Sequence, residues 1–187
     1  MEELNRVYQF AEEHMEKAIE VLRGNLNTLR TGRVSIHVLD GVEVEYYGVM
    51  TPLNQVATVN AVDATTIVIQ PWDKSLLGKI EKAIQEANLG VNPNNDGDQI
   101  RLFFPPMTEE ERKRQVKKAK EFGEKAKIAI RNIRREANDK VKKLFKEKIL
   151  SEDEHRRALE RVQEITDKYI EKVDQIIQKK SDEILKI

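Results

Sequence analysis

Residues 108–149 contain no proline and one glycine, Gly123. As a continuous helix this stretch would be roughly 63 Å long, at about 1.5 Å of rise per residue. A helix of that length cannot fold back into one small globule; it needs partner helices along its whole apolar side. Thr108 and Glu111 stand three apart as in a capping box, and Glu109, Glu110 and Glu111 put negative charge where the helix dipole is positive. Val116, Ala119, Gly123, Ala126, Ile130, Ile133, Ala137, Val141 and Leu144 step by three or four, the seam of a packed helix. At about 100° per residue the seam centres between Ala126, Ile130, Ile133 and Ala137. Arg131 and Arg135 then fall on the far side and Arg134 on the flank. Lys117, Lys120, Lys127 and Lys142 join the outer face.

Two further amphipathic segments supply partners. Residues 2–30 carry Leu4, Tyr8, Ala11, Met15, Ala18, Leu22, Leu26 and Leu29 on one stripe, ended by Gly32. After Leu150, with Ser151 as N-cap, the last helix presents Ala158, Val162, Ile165, Tyr169, Val173, Ile176 and Ile184. A long antiparallel three-helix bundle hides all three stripes.

Between the first two helices the pattern changes to β-branched residues and a period of two. Ile36–Leu39 reads as a strand followed by a hairpin signal at Asp40-Gly41, and Val42–Tyr47 alternates. Gly48–Pro52 reads as a turn region, Val56–Val62 and Thr66–Gln70 as strands, Ser75–Asn88 as a helix closed by Gly90, and Ile100–Phe104 as the last strand. The expectation is an α+β protein of two domains. Residues 1–30 and 106–187 form the bundle, and 31–105 form an inserted unit. The insertion joins the bundle through Arg30, Thr31, Gly32 and Arg33 on one side and Phe104, Pro105, Pro106 and Met107 on the other. These are either two ordinary turns or a two-stranded hinge.

Composition narrows the function. Charged residues make up 35% and aromatics 5%, which suits long solvated helices. There is no cysteine, so disulfides and thiolate chemistry are excluded. No signal-peptide pattern opens the chain and no apolar run approaches a membrane span. His14, His37 and His155 lie apart without ligand spacing, so no metal site is expected. No phosphate-cradling loop or catalytic constellation stands out, and neither an enzyme nor a cofactor is expected. Asp96-Gly97-Asp98 reads as a turn rather than a calcium loop. Trp72 reads as packing at a strand end or as an exposed contact residue.

Net charge is zero but unevenly placed. Residues 108–149 hold 16 basic and 8 acidic groups, whereas 31–105 hold 5 and 9. The basic helix face is either a solubilising surface laced with ion pairs or a track for a phosphate backbone, to which arginine forks are suited.

The sequence resembles bacterial ribosome recycling factors along essentially its whole length. The resemblance rests on Leu29-Arg30-Thr31-Gly32-Arg33, Tyr46-Tyr47-Gly48 with Thr51-Pro52-Leu53, Pro71-Trp72-Asp73, and Asn88-Leu89-Gly90 with Asn92-Pro93. It continues through Pro105-Pro106 with Thr108-Glu109-Glu110, and Ile130-Arg131-Asn132-Ile133-Arg134-Arg135 with Ala137-Asn138-Asp139. The resemblance implies an L-shaped molecule with a β/α/β sandwich inserted in the bundle. It implies a cytoplasmic, monomeric factor that binds the 70S post-termination ribosome and its large subunit. With elongation factor G and GTP it would split the ribosome and release mRNA and tRNA, and initiation factor 3 would act downstream. It implies contacts to 23S rRNA through Arg131 and Arg134, joined by Arg135, Arg112 and Arg30, and Lys127 on the basic face is a further candidate for the same contact. Arg33, Tyr46, Tyr47 and the linkers would couple to elongation factor G. A ribosomal RNA-binding protein with another task, such as hibernation, and a purely structural bundle are the rival classes.

Overall fold

The computed structural model describes residues 2–186. The chain builds α1 (Glu2–Asn27), β1 (Glu43–Tyr46), β2 (Val49–Pro52), β3 (Ala57–Ala61), β4 (Thr66–Pro71) and α2 (Leu77–Glu86). It continues with β5 (Asn94–Asn95), β6 (Ile100–Phe103), α3 (Glu109–Lys146) and α4 (Glu152–Leu185). Packing divides it into two compact units. One takes the described residues up to Leu26 together with Val116–Asp182; the other takes Asn27–Gln115 and the described residues from Glu183 onward. Both linkers, 30–33 and 104–107, therefore pack with the second unit.

The helical unit follows its apolar stripes. Val7, Ala11, Met15, Ile19, Leu22 and Leu26 of α1 are buried, so the stripe runs through Val7 and Ile19 while Tyr8 and Ala18 lie half-buried at its border. On α3 the buried set is Ala119, Gly123, Ala126, Ile130, Ala137 and Val141. Ala158, Val162, Ile165, Tyr169 and Val173 complete the core from α4. Small residues at four of the six α3 positions let α4 approach closely. A Cβ on Gly123 would stand 2.7 Å from Cγ1 of Ile177. The short connection between α3 and α4 stacks Phe145 on His155 with ring centroids 4.4 Å apart. Phe10, early in α1, meets Lys140, late in α3, so α3 runs opposite to both neighbours.

Side-chain caps set the helix starts. Thr108 Oγ1 accepts from the Glu111 N–H at 3.1 Å. At α4 the capping box is reciprocal: Ser151 Oγ accepts from Glu154 N–H, and the Glu154 carboxylate accepts from Ser151 N–H, each at 3.1 Å. The Ser151 N–H, and then its hydroxyl, hold the Glu154 carboxyl below its ordinary range.

The second unit holds a four-stranded antiparallel sheet of order β3-β4-β6-β5 and a β1-β2 hairpin. Its core joins Ile67, Ile69, Ile100 and Leu102 of the sheet to Ile80 and Ile84 of α2 and Val44 of β1. Two local expectations fail. Ile36–Leu39 is a 3-10 helix, not a strand, because Ser35 caps it by accepting from His37 N–H at 3.2 Å. The hairpin closes at Tyr47-Gly48, both at positive φ (50° and 79°), and Val49–Pro52 is a strand rather than a turn. Gly41, at φ +86°, instead turns the chain from the 3-10 helix into β1.

Candidate nucleic-acid interface

The arginines of α3 differ in how free they are. Arg131 is exposed and makes no hydrogen bond or ion pair among the described residues. Arg135 is exposed and donates only to Asn132 Oδ1 at 3.3 Å, one turn back. Arg134 lies half-buried towards α4, where its Nη1 donates to Gln163 Oε1 at 3.3 Å. Its Nε is buried without a partner, as is Asn138 Oδ1 one turn further on. Arg134 is thus tethered towards α4, while Arg131 and Arg135 are free to fork a phosphate.

Lys127 departs from its expected place on the outer face. Its side chain is only 18% exposed and its ammonium lies 2.6 Å from Asp174 of α4, with Glu124 at 3.8 Å. The rotation that separates it from Arg131 turns it into the α3–α4 groove, so its charge is neutralised within the bundle. Lys117, Lys120 and Lys142 are exposed on the outer side. Arg112 lies half-buried.

Arg30 is also engaged. Its guanidinium donates to the Phe104 carbonyl at 3.1 Å and to the Pro105 carbonyl, and sits 5.7 Å from the Phe104 ring centre. Its own N–H donates to Gln115 Oε1 at 3.3 Å. Burial pushes its pKa down from the ordinary arginine value, opposed by the nearby Glu111 carboxylate. One side chain therefore ties the two linkers together, a role that no periodicity reveals. Gly32 is similarly constrained, since a Cβ there would stand 2.7 Å from the Lys186 carbonyl oxygen.

In the second unit, Tyr47 is 83% exposed at the hairpin tip, its ring edge-on to Tyr46 at 4.5 Å. Trp72 is exposed rather than packed, and its indole N–H donates to Thr58 Oγ1 at 3.1 Å. The Asp96-Gly97-Asp98 segment is a turn. The Asp96 carboxylate accepts from the N–H groups of Asp98 and Gln99, each at 2.9 Å, and is held below its ordinary range by those bonds. The Asp98 carboxylate pairs with Lys74 at 2.6 Å. Among the described residues no helix is long and apolar enough to cross a membrane.

The comparisons with known proteins agree with this architecture. A family model described as ribosome recycling factor matches residues 22–185. The ribosome-recycling factor of a Nitratiruptor species is 65% identical over 185 residues, 99% of this chain and 100% of the relative. That of Helicobacter hepaticus is 54% identical over 98% of this chain and 100% of its own. A solution structure of a ribosome recycling factor superposes with a TM-score of 0.79 at 39% identity, covering 100% of both chains. A second neighbour comes from models of the T. thermophilus ribosome recycling factor and E. coli elongation factor G bound to the E. coli post-termination complex. It has a TM-score of 0.67 and 51% identity, covering 97% of this chain and 98% of that one. With full-length relatives at this identity, a matching family model and the same two-part fold, the chain belongs to the ribosome recycling factor family.

Proposed function

We propose that this chain binds the post-termination 70S ribosome and, with elongation factor G and GTP, splits it into subunits, releasing mRNA and tRNA. Initiation factor 3 then keeps the subunits apart. The observation that carries this reading is 65% identity over the full length of a ribosome-recycling factor. The surface of α3 supports it: Arg131 and Arg135 are unpaired by acids, and Arg134 is aimed by Gln163. These arginines anchor the bundle on 23S rRNA by phosphate contacts.

In this mechanism the helical bundle, residues 1–30 and 106–187, is a stiff strut. The inserted domain, 31–105, is a lever hinged at Arg30–Arg33 and Phe104–Met107 and moved by elongation factor G. The translocase hydrolyses GTP and supplies the work, and the present chain contributes stiffness, anchorage and a hinge. It acts as a monomer in the bacterial cytoplasm. Arg112 extends the RNA contact, while Lys127 and Arg30 contribute through the shape of the bundle and of the linkers.

The test is light scattering on post-termination 70S complexes with homologous elongation factor G and GTP. Wild type lowers the scattering as subunits separate, and Arg131→Ala with Arg135→Ala needs far more protein for the same effect. Wild type that binds 70S ribosomes under these conditions and never splits them refutes the proposal.

A further inference from the structure

The two edges of the four-stranded sheet are finished differently. β5 is two residues long and follows Pro93, so it offers little to pair with. β3 is five residues long, and Ala57-Thr58-Val59-Asn60-Ala61 holds neither a charge nor a proline, the usual guards of an exposed edge. The register fixes which of its backbone groups are spare. Val62 N–H donates to the Thr66 carbonyl at 3.0 Å, and Trp72 N–H to the Val56 carbonyl at 3.1 Å. Hydrogen-bonded pairs alternate along an antiparallel ladder, so Asn60 with Val68 and Thr58 with Gln70 are the bonded pairs between β3 and β4. Val59 and Ala61 direct their N–H and C=O groups away from β4, and no other strand takes them among the described residues. Val59 also lines a groove of about 310 Å³, with Ile36, Leu39, Val42 and Leu53 as further apolar lining and Asp40 as its acid. His37 Nδ1 lies 3.2 Å from Asp40 Oδ2, while Asp40 Oδ1 accepts no hydrogen bond among the described residues.

An open edge beside an apolar groove suits one kind of ligand. Residues opposite each other in a ladder share a face of the sheet, so the side chain placed opposite Val59 by an added strand enters the groove. Charge selects the partner. Residues 34–73, which supply both the edge and the whole groove, hold Asp40, Glu43, Glu45, Asp63 and Asp73 and no lysine or arginine. A second copy of this edge would bring like charges together, whereas a basic segment is attracted. We propose that β3 accepts an extended basic segment of another protein as an additional strand, with one aliphatic side chain in the groove and a lysine or arginine beside Asp40.

The experiment is NMR titration of the full chain with a capped Lys-Val-Leu-Val-Lys peptide, and with Glu-Val-Leu-Val-Glu as its sign-reversed control, following backbone amides. The expected result is a saturable shift and slower hydrogen exchange at the Val59 and Ala61 amides with the basic peptide, and no saturable shift with the acidic one. Ala61→Pro deletes an outward N–H without touching the ladder to β4, a place where an edge strand tolerates proline. It weakens binding about fivefold, the worth of one hydrogen bond. Asp40→Asn, which leaves the backbone alone, weakens it about twofold. Melting temperatures verify that both variants are folded. The absence of saturable shifts overturns the proposal, as does equal binding of the two peptides or full binding by Ala61→Pro. So does a concentration-dependent dimer of the peptide-free chain, seen by sedimentation and abolished by Ala61→Pro, which would make a second copy the occupant.

Discussion

Gly123 of α3 and Ile177 of α4 meet so closely that an added side chain must displace its neighbour: a Cβ on Gly123 would lie 2.7 Å from Ile177 Cγ1 and 3.1 Å from its Cδ1. Gly123→Ala sets two effects against each other. Alanine gains about 1 kcal/mol of helix propensity, but overpacking costs about 1–3 kcal/mol. The branched Ile177 cannot withdraw without giving up its own packing, so the clash wins and thermal unfolding shifts to lower temperature. A double-mutant cycle with Ile177→Ala isolates the pair, with an expected coupling of about 1–2 kcal/mol. A coupling near zero would show that the helices simply separate.

Arg131 and Lys127 lie four residues apart on α3 yet predict opposite phenotypes. Arg131→Ala leaves the melting temperature unchanged and weakens RNA binding at low salt, because its side chain makes no hydrogen bond or ion pair within the bundle. Removing one phosphate-neutralising charge makes the plot of log affinity against log salt shallower by about 0.7–0.9. Lys127→Ala removes the 2.6 Å partner of Asp174 and lowers stability by about 1 kcal/mol, a modest figure because Asp174 is 60% exposed. Its RNA affinity stays near wild type. Binding isotherms at several salt concentrations, beside melting curves, separate the two.

The helical half of this fold was legible because a stripe repeating every three or four residues has one interpretation over about 30 residues. Lys127 shows where that legibility stops. It sits between seam and outer face, and only the position of α4 decides which it joins. The insertion was harder. Ile36–Leu39 has the β-branched content of a strand, but Ser35 caps a 3-10 turn there. The true hairpin was hidden because Tyr47 occupies a positive-φ position that usually calls for Asn, Asp or Gly. Arg30 carried a signal for RNA contact by family resemblance, and its carbonyl partners, some 75 residues away in sequence, follow from no local pattern.

Arg30→Lys tests whether the placement of the guanidinium, rather than its charge, holds the linkers. Both bonds to Phe104 and Pro105 leave one nitrogen, Nη2, and the shorter lysine side chain keeps the charge without carrying a donor to that point. Losing charged hydrogen bonds to partly buried carbonyls costs about 1–3 kcal/mol. Hydrogen exchange is expected to quicken at the amides of Phe104 and Met107, while α4 amides around Val162 keep their protection. Uniform acceleration in both units would point to global destabilisation and mean that Arg30 is no local latch.

Tyr169 gives a prediction in pH. Its ring is buried, 5% exposed, and its phenol pKa is pushed from 10.0 to about 12, chiefly by burial and then by the hydrogen bond to Glu16 and the charges of Glu16 and Glu12. A pKa raised in the folded state means that the folded chain holds its proton more tightly than the unfolded chain does. The stabilisation is fully present below pH 10 and is lost as pH rises towards 12. Lys172 holds Glu16 in place, lying 3.4 Å from its carboxylate and 5.7 Å from the Tyr169 ring centre. Urea unfolding is therefore expected to show a steeper fall in midpoint between pH 10 and 12 for wild type than for Tyr169→Phe, which carries no proton to lose. Tyr169→Phe gives up the hydrogen bond at every pH, so its curve lies lower near neutrality and converges with wild type in alkali. Parallel curves across that window would mean that Tyr169 ionises at an ordinary pH, and that Glu16 contributes nothing to keeping it neutral.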